Sequence, residues 1–237
     1  MRIIIEVYHF AAMQALFMVF FCFLSTPFDY NRPMHPILAK LIQNLDLPTV
    51  PCLAAPLLLK HHGYAKTADH SQAVAAECAR LARRFSLDPR AAELAGCLHD
   101  VSAVWPTAER LTVAEALGLA TLPAERQHPL LLHQRLSAVL AEQLFGVNDL
   151  DVLAAIACHT TLRPVPAPLD LLLFCADKLA WDQPGQPPYL AEMRAALDKS
   201  LASAAAVYLR HLWRQRDTLP AVHPLLVEAW EYFEIEE

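Results

Sequence analysis

Prolines punctuate this chain at helix-sized intervals, and little else in it favours a turn. There are 18 prolines against 5 glycines in 237 residues. A proline cannot donate the hydrogen bond that a helix interior or a central strand requires, so each is expected between helices or in a first turn. Between them, apolar residues recur at helical spacing. Val74, Cys78, Leu81 and Phe85 form one stripe, with Arg80, Arg83 and Arg84 off it. Asp88 and Pro89 read as the N-cap and first residue of a helix carrying Ala91, Leu94, Ala95 and Leu98, which ends near His99 and Asp100. Thr107 to Leu119 fits one or two further helices. Pro129 opens a helix through Leu144 that Gly146 closes, and Asn148 or Asp149 caps the next, which runs into His159. Leu169–Leu179, Leu190–Trp213 and Pro224–Phe233 read as the remaining helices, with a loop over Trp181–Pro188. No alternating strand pattern and no internal repeat is present. The expected class is all-α.

Composition narrows the function. Hydrophobic residues make up 55% and charged residues 19%, enough for a sizeable core and against intrinsic disorder. Net charge is −6 with no run of Lys or Arg, which argues against a nucleic-acid polymer as partner. The six cysteines (Cys22, Cys52, Cys78, Cys97, Cys158 and Cys175) are scattered and form no C-x-x-C pair, so reduced, buried thiols in a cytoplasmic protein are expected. Phe10 to Leu24 is apolar but spans 15 residues, short of the ~20 that cross a bilayer. It reads as a translation start placed ahead of Met34, as a membrane or signal anchor, or as a packed helix. Residues 1–33 are accordingly set apart as an apolar extension, and 34–60 as a short helical lead-in.

The chemistry-bearing residues sit one by one among aliphatic neighbours. His99-Asp100 joins an imidazole and a carboxylate between Leu98 and Val101. A carboxylate placed there needs a partner, because isolated burial costs several kcal/mol, and a metal ion supplies one. His70, His133, His159 and Asp177 occupy similar positions on other helices. A single histidine near a helix end is most often a cap or a hydrogen-bonded core residue, and His61, His62, His128, His211 and His223 are read so. The order His, His-Asp, His, His, Asp in one all-α domain is much harder to assign to coincidence.

That order resembles the HD-domain metal-dependent phosphohydrolases, and within them the YqeK-type branch of symmetrical dinucleoside tetraphosphate hydrolases. The matching stretches are DHSQAVAAECARLA, LDPRAAELAGCLHDV, PLLLHQRLSAVLAEQLFGVND, LDVLAAIACHTTLRP and LLLFCADKLAWD, together covering about residues 66–185. The dyad alone is weak; the dyad with HTT and ADK in this order is fairly specific. The resemblance implies a single HD-domain helical bundle over 61–237 with its metal site between helices. It implies His70, His99, Asp100, His133, His159 and Asp177 as ligands.

Imidazole and carboxylate without thiolate suit two divalent or trivalent ions, iron first, with manganese or another divalent ion as substitutes. Six ligands exceed what one ion with an open position needs. The expected arrangement places His70, His99, Asp100 and Asp177 around one ion, His133 and His159 on the second, and Asp100 bridging. Two such ions would activate a hydroxide and clamp the phosphate under attack. Arg163, after HTTL, is the candidate for phosphate contact, with Asp100 in the catalytic set and Thr160 either touching substrate or capping a turn. Lys178 is read as a packing or surface residue. Trp105 and Trp181 are read as structural, with base stacking as the alternative.

Two segments depart from the branch. Val101-Ser102-Ala103-Val104-Trp105 lacks the Lys expected after the dyad, and Ala180-Trp181-Asp182-Gln183-Pro184-Gly185 is shorter than the branch's loop and lacks its Arg. The metal site is therefore better supported than the tetraphosphate substrate. The alternatives are an HD-type nucleotidase, a cyclic-nucleotide or ppGpp hydrolase, and a non-catalytic metal- or nucleotide-binding sensor. Expected partners are a small nucleotide and, as an open option, a second copy of the chain in a homodimer. No ligand falls before Met34, so a chain starting there should be folded, metal-binding and as active as the whole. Insolubility or metal loss in that shortened chain would instead assign residues 1–33 a packed or anchoring role.

Overall fold

A computed structural model describes residues 34–235; the apolar extension lies outside the described residues. Proline sets the helix starts as expected. Pro36, Pro51, Pro89, Pro123, Pro129, Pro168 and Pro224 each stand in the first turn of a helix, where the missing N–H has no partner to lose. The α-helices are α1 Pro36–Leu41, α2 Pro51–His61, α3 Ala65–Arg84, α4 Pro89–Leu98, α5 Arg110–Ala116, α6 Pro123–Gln127, α7 His133–Gln143, α8 Leu150–Cys158, α9 Pro168–Leu179, α10 Leu190–Ala196, α11 Leu201–Arg214 and α12 Pro224–Tyr232. Short 3₁₀ turns cover Val101–Val104, Pro129–Leu132 and Arg216–Thr218. Among the described residues there is no strand, and no helix is long and apolar enough to cross a membrane.

Three sequence expectations need correction. Leu190–Trp213 is two helices, because Ser200 is extended and its hydroxyl accepts from Ser203 N at 3.0 Å, starting α11 afresh. Pro56 lies inside α2 rather than at its start, so the Cys52 carbonyl loses its usual helical donor. The cysteines are not all thiols. Cys52 and Cys97 form a disulfide, with Cα atoms 5.3 Å apart. Their separation of 45 residues hid the pairing, which arises only because α2 packs on α4. Cys78, Cys158 and Cys175 are free and buried, and burial pushes all three thiols up, Cys175 to about 12.

α3, α4, α8 and α9 pack around the centre of the fold, with α2 against α3 and α4 and with α11 behind α9. Leu81, Leu98, Ile156 and Phe174 on these helices are fully buried, as are Leu136 and Leu140 on α7. Each such side chain contributes roughly 1.5–3 kcal/mol of burial. The tightest crossing is at Gly96 on α4. A Cβ there would lie 2.7 Å from Ala75 Cα and 2.8 Å from Ala75 N on α3, which is backbone and cannot swing aside. Glycine thus lets α3 and α4 touch, three residues before His99.

Gly96→Ala should therefore force the two helices apart. The expected loss is about 1–3 kcal/mol of stability, as for overpacked cores, together with reduced metal binding, read by thermal denaturation and elemental analysis. Unchanged stability would show that the crossing yields without cost.

Candidate metal centre

Helix ends deliver most of the candidate ligands. His99 follows the last residue of α4, His159 follows the last of α8, and His133 is the first residue of α7, just after a 3₁₀ turn. Carbonyls at such ends are open to side-chain donors, alone or beside a backbone N–H. Each ring uses one: His99 Nδ1 lies 2.8 Å from Gly96 O, His133 Nδ1 2.6 Å from Leu130 O, and His159 Nδ1 2.8 Å from Ile156 O. A carbonyl only accepts, so Nδ1 carries the proton and donates. In the neutral ring Nε2 is then a bare lone pair, and the fold points these lone pairs at one another.

All six residues expected as ligands come together. His99 Nε2 stands 3.6 Å from Asp100 Oδ2 and 3.5 Å from Asp177 Oδ1. Asp100 Oδ1 stands 3.6 Å from Nε2 of both His133 and His159. His70 Nε2, from α3, is 3.1 Å from Asp177 Oδ1, which α9 supplies. Three overlapping sets have ligand atoms within 4.8 Å of one another: His70, His99 and Asp100; His99, His159 and Asp177; and Asp100, His133 and His159. The exposed mouth is narrow, for the Asp100 and Asp177 side chains are 29% and 20% accessible while His99 is fully buried.

Two buried carboxylates set the electrostatics of the cluster. Burial opposes charge on His99, yet the carboxylates of Asp100 and Asp177 overcome it and lift the imidazole to about 9. Burial likewise opposes ionisation of Asp100, but His99 above all, with His159 and His133, holds it well below the carboxylate range. Asp177 is held down against burial first by Lys178 and then by His70 and His99. Burial lowers His133 to about 4 and also lowers His159. Two ionised carboxylates therefore face a protonated His99 and two rings, His133 and His159, that burial keeps neutral.

A metal ion fits this donor set. His99 Nε2 is buried without a hydrogen-bond partner. Nε2 of His133 and His159 lie 3.1 Å apart, and with Nδ1 protonated on both, two lone pairs meet there. The Thr160 hydroxyl, 2.8 Å from His133 Nε2, can donate to one of them, and a cation would satisfy both. Nitrogen and carboxylate oxygen without a thiolate match borderline-to-hard ions.

An outer layer holds the ligands, and part of it was not foreseen. Lys178 is buried, not at the surface, and its Nζ donates to Asp177 Oδ2 and to His159 O, both at 2.7 Å. The apolar run LLLFCADKLA was the available signal, since a buried Lys needs an adjacent acceptor. Gln134 Oε1 accepts from Thr160 N at 3.1 Å, tying α7 to the turn after His159. Ser102 Oγ donates to His133 O at 2.8 Å, and Ser137 Oγ to Ser102 Oγ at 3.0 Å. Buried Arg110 donates to Trp105 O and to Leu130 O, the carbonyl that His133 Nδ1 also uses. Asp182 Oδ2 lies 3.6 Å from His70 Nδ1.

The expected substrate residues fall in two places. The Thr160 hydroxyl is at the ligands, 2.8 Å from His133 Nε2. Arg163 Nε donates to buried Asp170 Oδ2 at 2.6 Å, spanning the connection from His159 to α9. Of the histidines set aside, His62 Nε2 meets Leu41 O at 2.9 Å and His223 caps α12.

Comparison with known proteins follows the same residues. Residues 67–182 match the HD domain. A protein of the pepC 5′ region of Lactococcus lactis subsp. cremoris is 41% identical over 136 residues, 57% of this chain and 69% of that one. The symmetrical bis(5′-nucleosyl)-tetraphosphatase of Bacillus subtilis (strain 168) is 32% identical over 110 residues, 46% of this chain and 58% of the relative. The protein of the same name from Halalkalibacterium halodurans is 27% identical, over 72% of this chain and 95% of that one. Among solved structures, an HD superfamily hydrolase involved in NAD metabolism from Clostridium acetobutylicum superposes with a TM-score of 0.68 at 26% identity, covering 74% of this chain and 93% of that one.

Metal uptake should show the charge balance directly. An imidazole must lose its proton to bind a metal, and His99 sits near 9, so apparent manganese affinity should rise with pH up to about 9. The expected slope is about tenfold per pH unit, one proton being displaced. Asp100→Ala should lose metal by elemental analysis, whereas Cys158→Ala and Cys175→Ala should keep it. The opposite pattern would make the site a thiolate one.

Proposed function

The chain belongs to the HD-domain family, and from that membership we propose that it is a metal-dependent phosphohydrolase that cleaves a nucleotide phosphoanhydride, diadenosine tetraphosphate symmetrically. The observation that carries the reading is the convergence of imidazole Nε2 atoms on two ionised carboxylates in one narrow-mouthed site. The choice of substrate draws on the relatives named symmetrical bis(5′-nucleosyl)-tetraphosphatase. His70, His99, Asp100, His133, His159 and Asp177 would hold two ions, iron by the donor chemistry, with Asp100 between them. Bound there, the ions would supply positive charge for the phosphate and acidify a water to hydroxide.

The chain's own groups prepare the site for that substrate. Lys178 occupies one oxygen of Asp177, which turns the other toward His70 and His99. The carbonyl contacts of three Nδ1 atoms keep the rings from rotating, so no reorganisation is needed when charge develops. The Thr160 hydroxyl, which donates to His133 Nε2, would be freed for a phosphate oxygen once a metal took that lone pair. Arg163 is four residues beyond His159, and its contact with Asp170 fixes its Nε edge while the guanidinium remains the charged group nearest that ligand in sequence. The proposed nucleotide substrate argues for the cytoplasm, and the Cys52–Cys97 disulfide argues against it.

The test is a panel of nucleotides offered to protein loaded with iron, manganese, cobalt or magnesium. Diadenosine tetraphosphate should give ADP as the sole nucleotide product; AMP with ATP would mean asymmetric cleavage, and turnover only of other nucleotides would change the substrate. In the same assay Arg163→Ala should lower kcat/KM on the order of 100-fold with metal content intact, the usual loss for one charge-assisted contact. Unchanged kinetics would leave Arg163 with Asp170 alone.

A further inference from the structure

Beyond the end of α9 the chain runs through Trp181 and a proline-rich segment into α10. This loop and α11 enclose a cavity of about 410 Å³ lined by Trp181, Tyr189, Tyr208, His211 and Gln215, with the remaining wall drawn from residues 184–188. No lining residue is Lys, Arg, Asp or Glu, so the cavity suits neither a phosphate nor a metal. Its walls are rings. Tyr189 and Tyr208 meet edge to face at 4.8 Å, and Tyr189 meets His211 at 5.0 Å.

Trp181 is 41% exposed, yet it is not loose, because its indole N–H donates to Gly185 O at 3.0 Å. A large ring held in water is a face to stack on. Gln215 and His211, 3.1 Å apart, add an amide and an imidazole at one side, which can donate to and accept from a base edge.

Two chains of side-chain contacts link the walls of the cavity to the candidate metal centre, although no candidate ligand lines it. Lys178 Nζ bonds to Asp177 at 2.7 Å and lies 5.5 Å from the Tyr208 ring. Asp182, next to Trp181, reaches within 3.6 Å of His70. We propose that this cavity is a nucleobase subsite, in which Trp181 stacks on the base of a nucleotide whose phosphate lies at the metal centre. The proposal deepens the phosphohydrolase reading and rests on it for where the phosphate lies. It makes Trp181 a specificity-determining residue, where the sequence favoured a structural one.

The test measures binding apart from turnover, on the whole manganese-loaded chain, by titration with AMP and with ribose 5-phosphate. The native protein should bind AMP at least tenfold more tightly, the usual scale of one base–aromatic stack. Trp181→Ala should weaken AMP about tenfold, leave ribose 5-phosphate and metal content unchanged, and be rescued by Trp181→Phe. Equal native affinity for the two probes would overturn the proposal, as would equal weakening of both in Trp181→Ala. If AMP preference and its dependence on Trp181 hold while no nucleotide is turned over, the base site stands and the hydrolase reading falls.

Discussion

Two buried carboxylates ringed by inward-facing imidazoles are the constraint from which the rest of this structure follows. Asp100 and Asp177 ionise despite burial because histidines and Lys178 surround them. Lys178 and a protonated His99 balance the two negative charges, and a metal ion would take the place of the His99 proton. The fold could have supplied more Lys or Arg. It instead aims lone pairs inward, which is useful only to a cation that arrives from outside. The same carbonyl contacts that satisfy the ends of α4 and α8 orient His99 and His159, so helix termination and ligand orientation are one event.

That arrangement ties the site to the packing. His99 can sit where it does only if α4 approaches α3 closely, and Gly96 removes the one Cβ that would prevent it. Gly96 O is also the acceptor for His99 Nδ1. The disulfide between Cys52 and Cys97 joins the start of α2 to the last turn of α4, one residue from Leu98. The dyad is thus fixed by backbone contact on one side and a covalent link on the other. His133 and Asp177 depend on Ser102, Arg110 and Lys178 in the same way, through hydrogen bonds between elements far apart in sequence.

What was legible in the sequence divides along this line. Helix starts were legible because proline and the Asp88 and Asp149 caps act locally. The ligand order was legible because each residue interrupts an apolar stripe. The break at Ser200 was not, since the apolar spacing on both sides continues through it, and only the serine cap opposes helix there. The disulfide was invisible because it depends on how α2 crosses α4. Of the packing and surface roles read for Lys178, the buried one holds, and its contact with Asp177 was not legible because a long side chain on a buried face curls back to the nearest carboxylate. Arg163 was read for its distance from His159 in sequence, and its Asp170 contact is a product of the turn between α8 and α9.

The two halves of the proposed active site are built from different material, and the difference bears on how such a chain changes substrate. The candidate ligands sit on helix ends locked by carbonyls and by a glycine crossing, where a shift would cost both stability and metal. The cavity beside them is lined chiefly by a loop between Trp181 and Tyr189 and by one face of α11. That loop overlaps one of the two segments, with Val101–Trp105 the other, that set this sequence apart from the branch it resembles, and it carries the exposed Trp181. Exchanging a charged contact for a stacking one changes what binds without touching the ligands. Loops tolerate such exchanges because little core depends on them. A centre that is rigid where it holds metal and variable where it meets the rest of the substrate can keep one chemistry while its preferred nucleotide shifts.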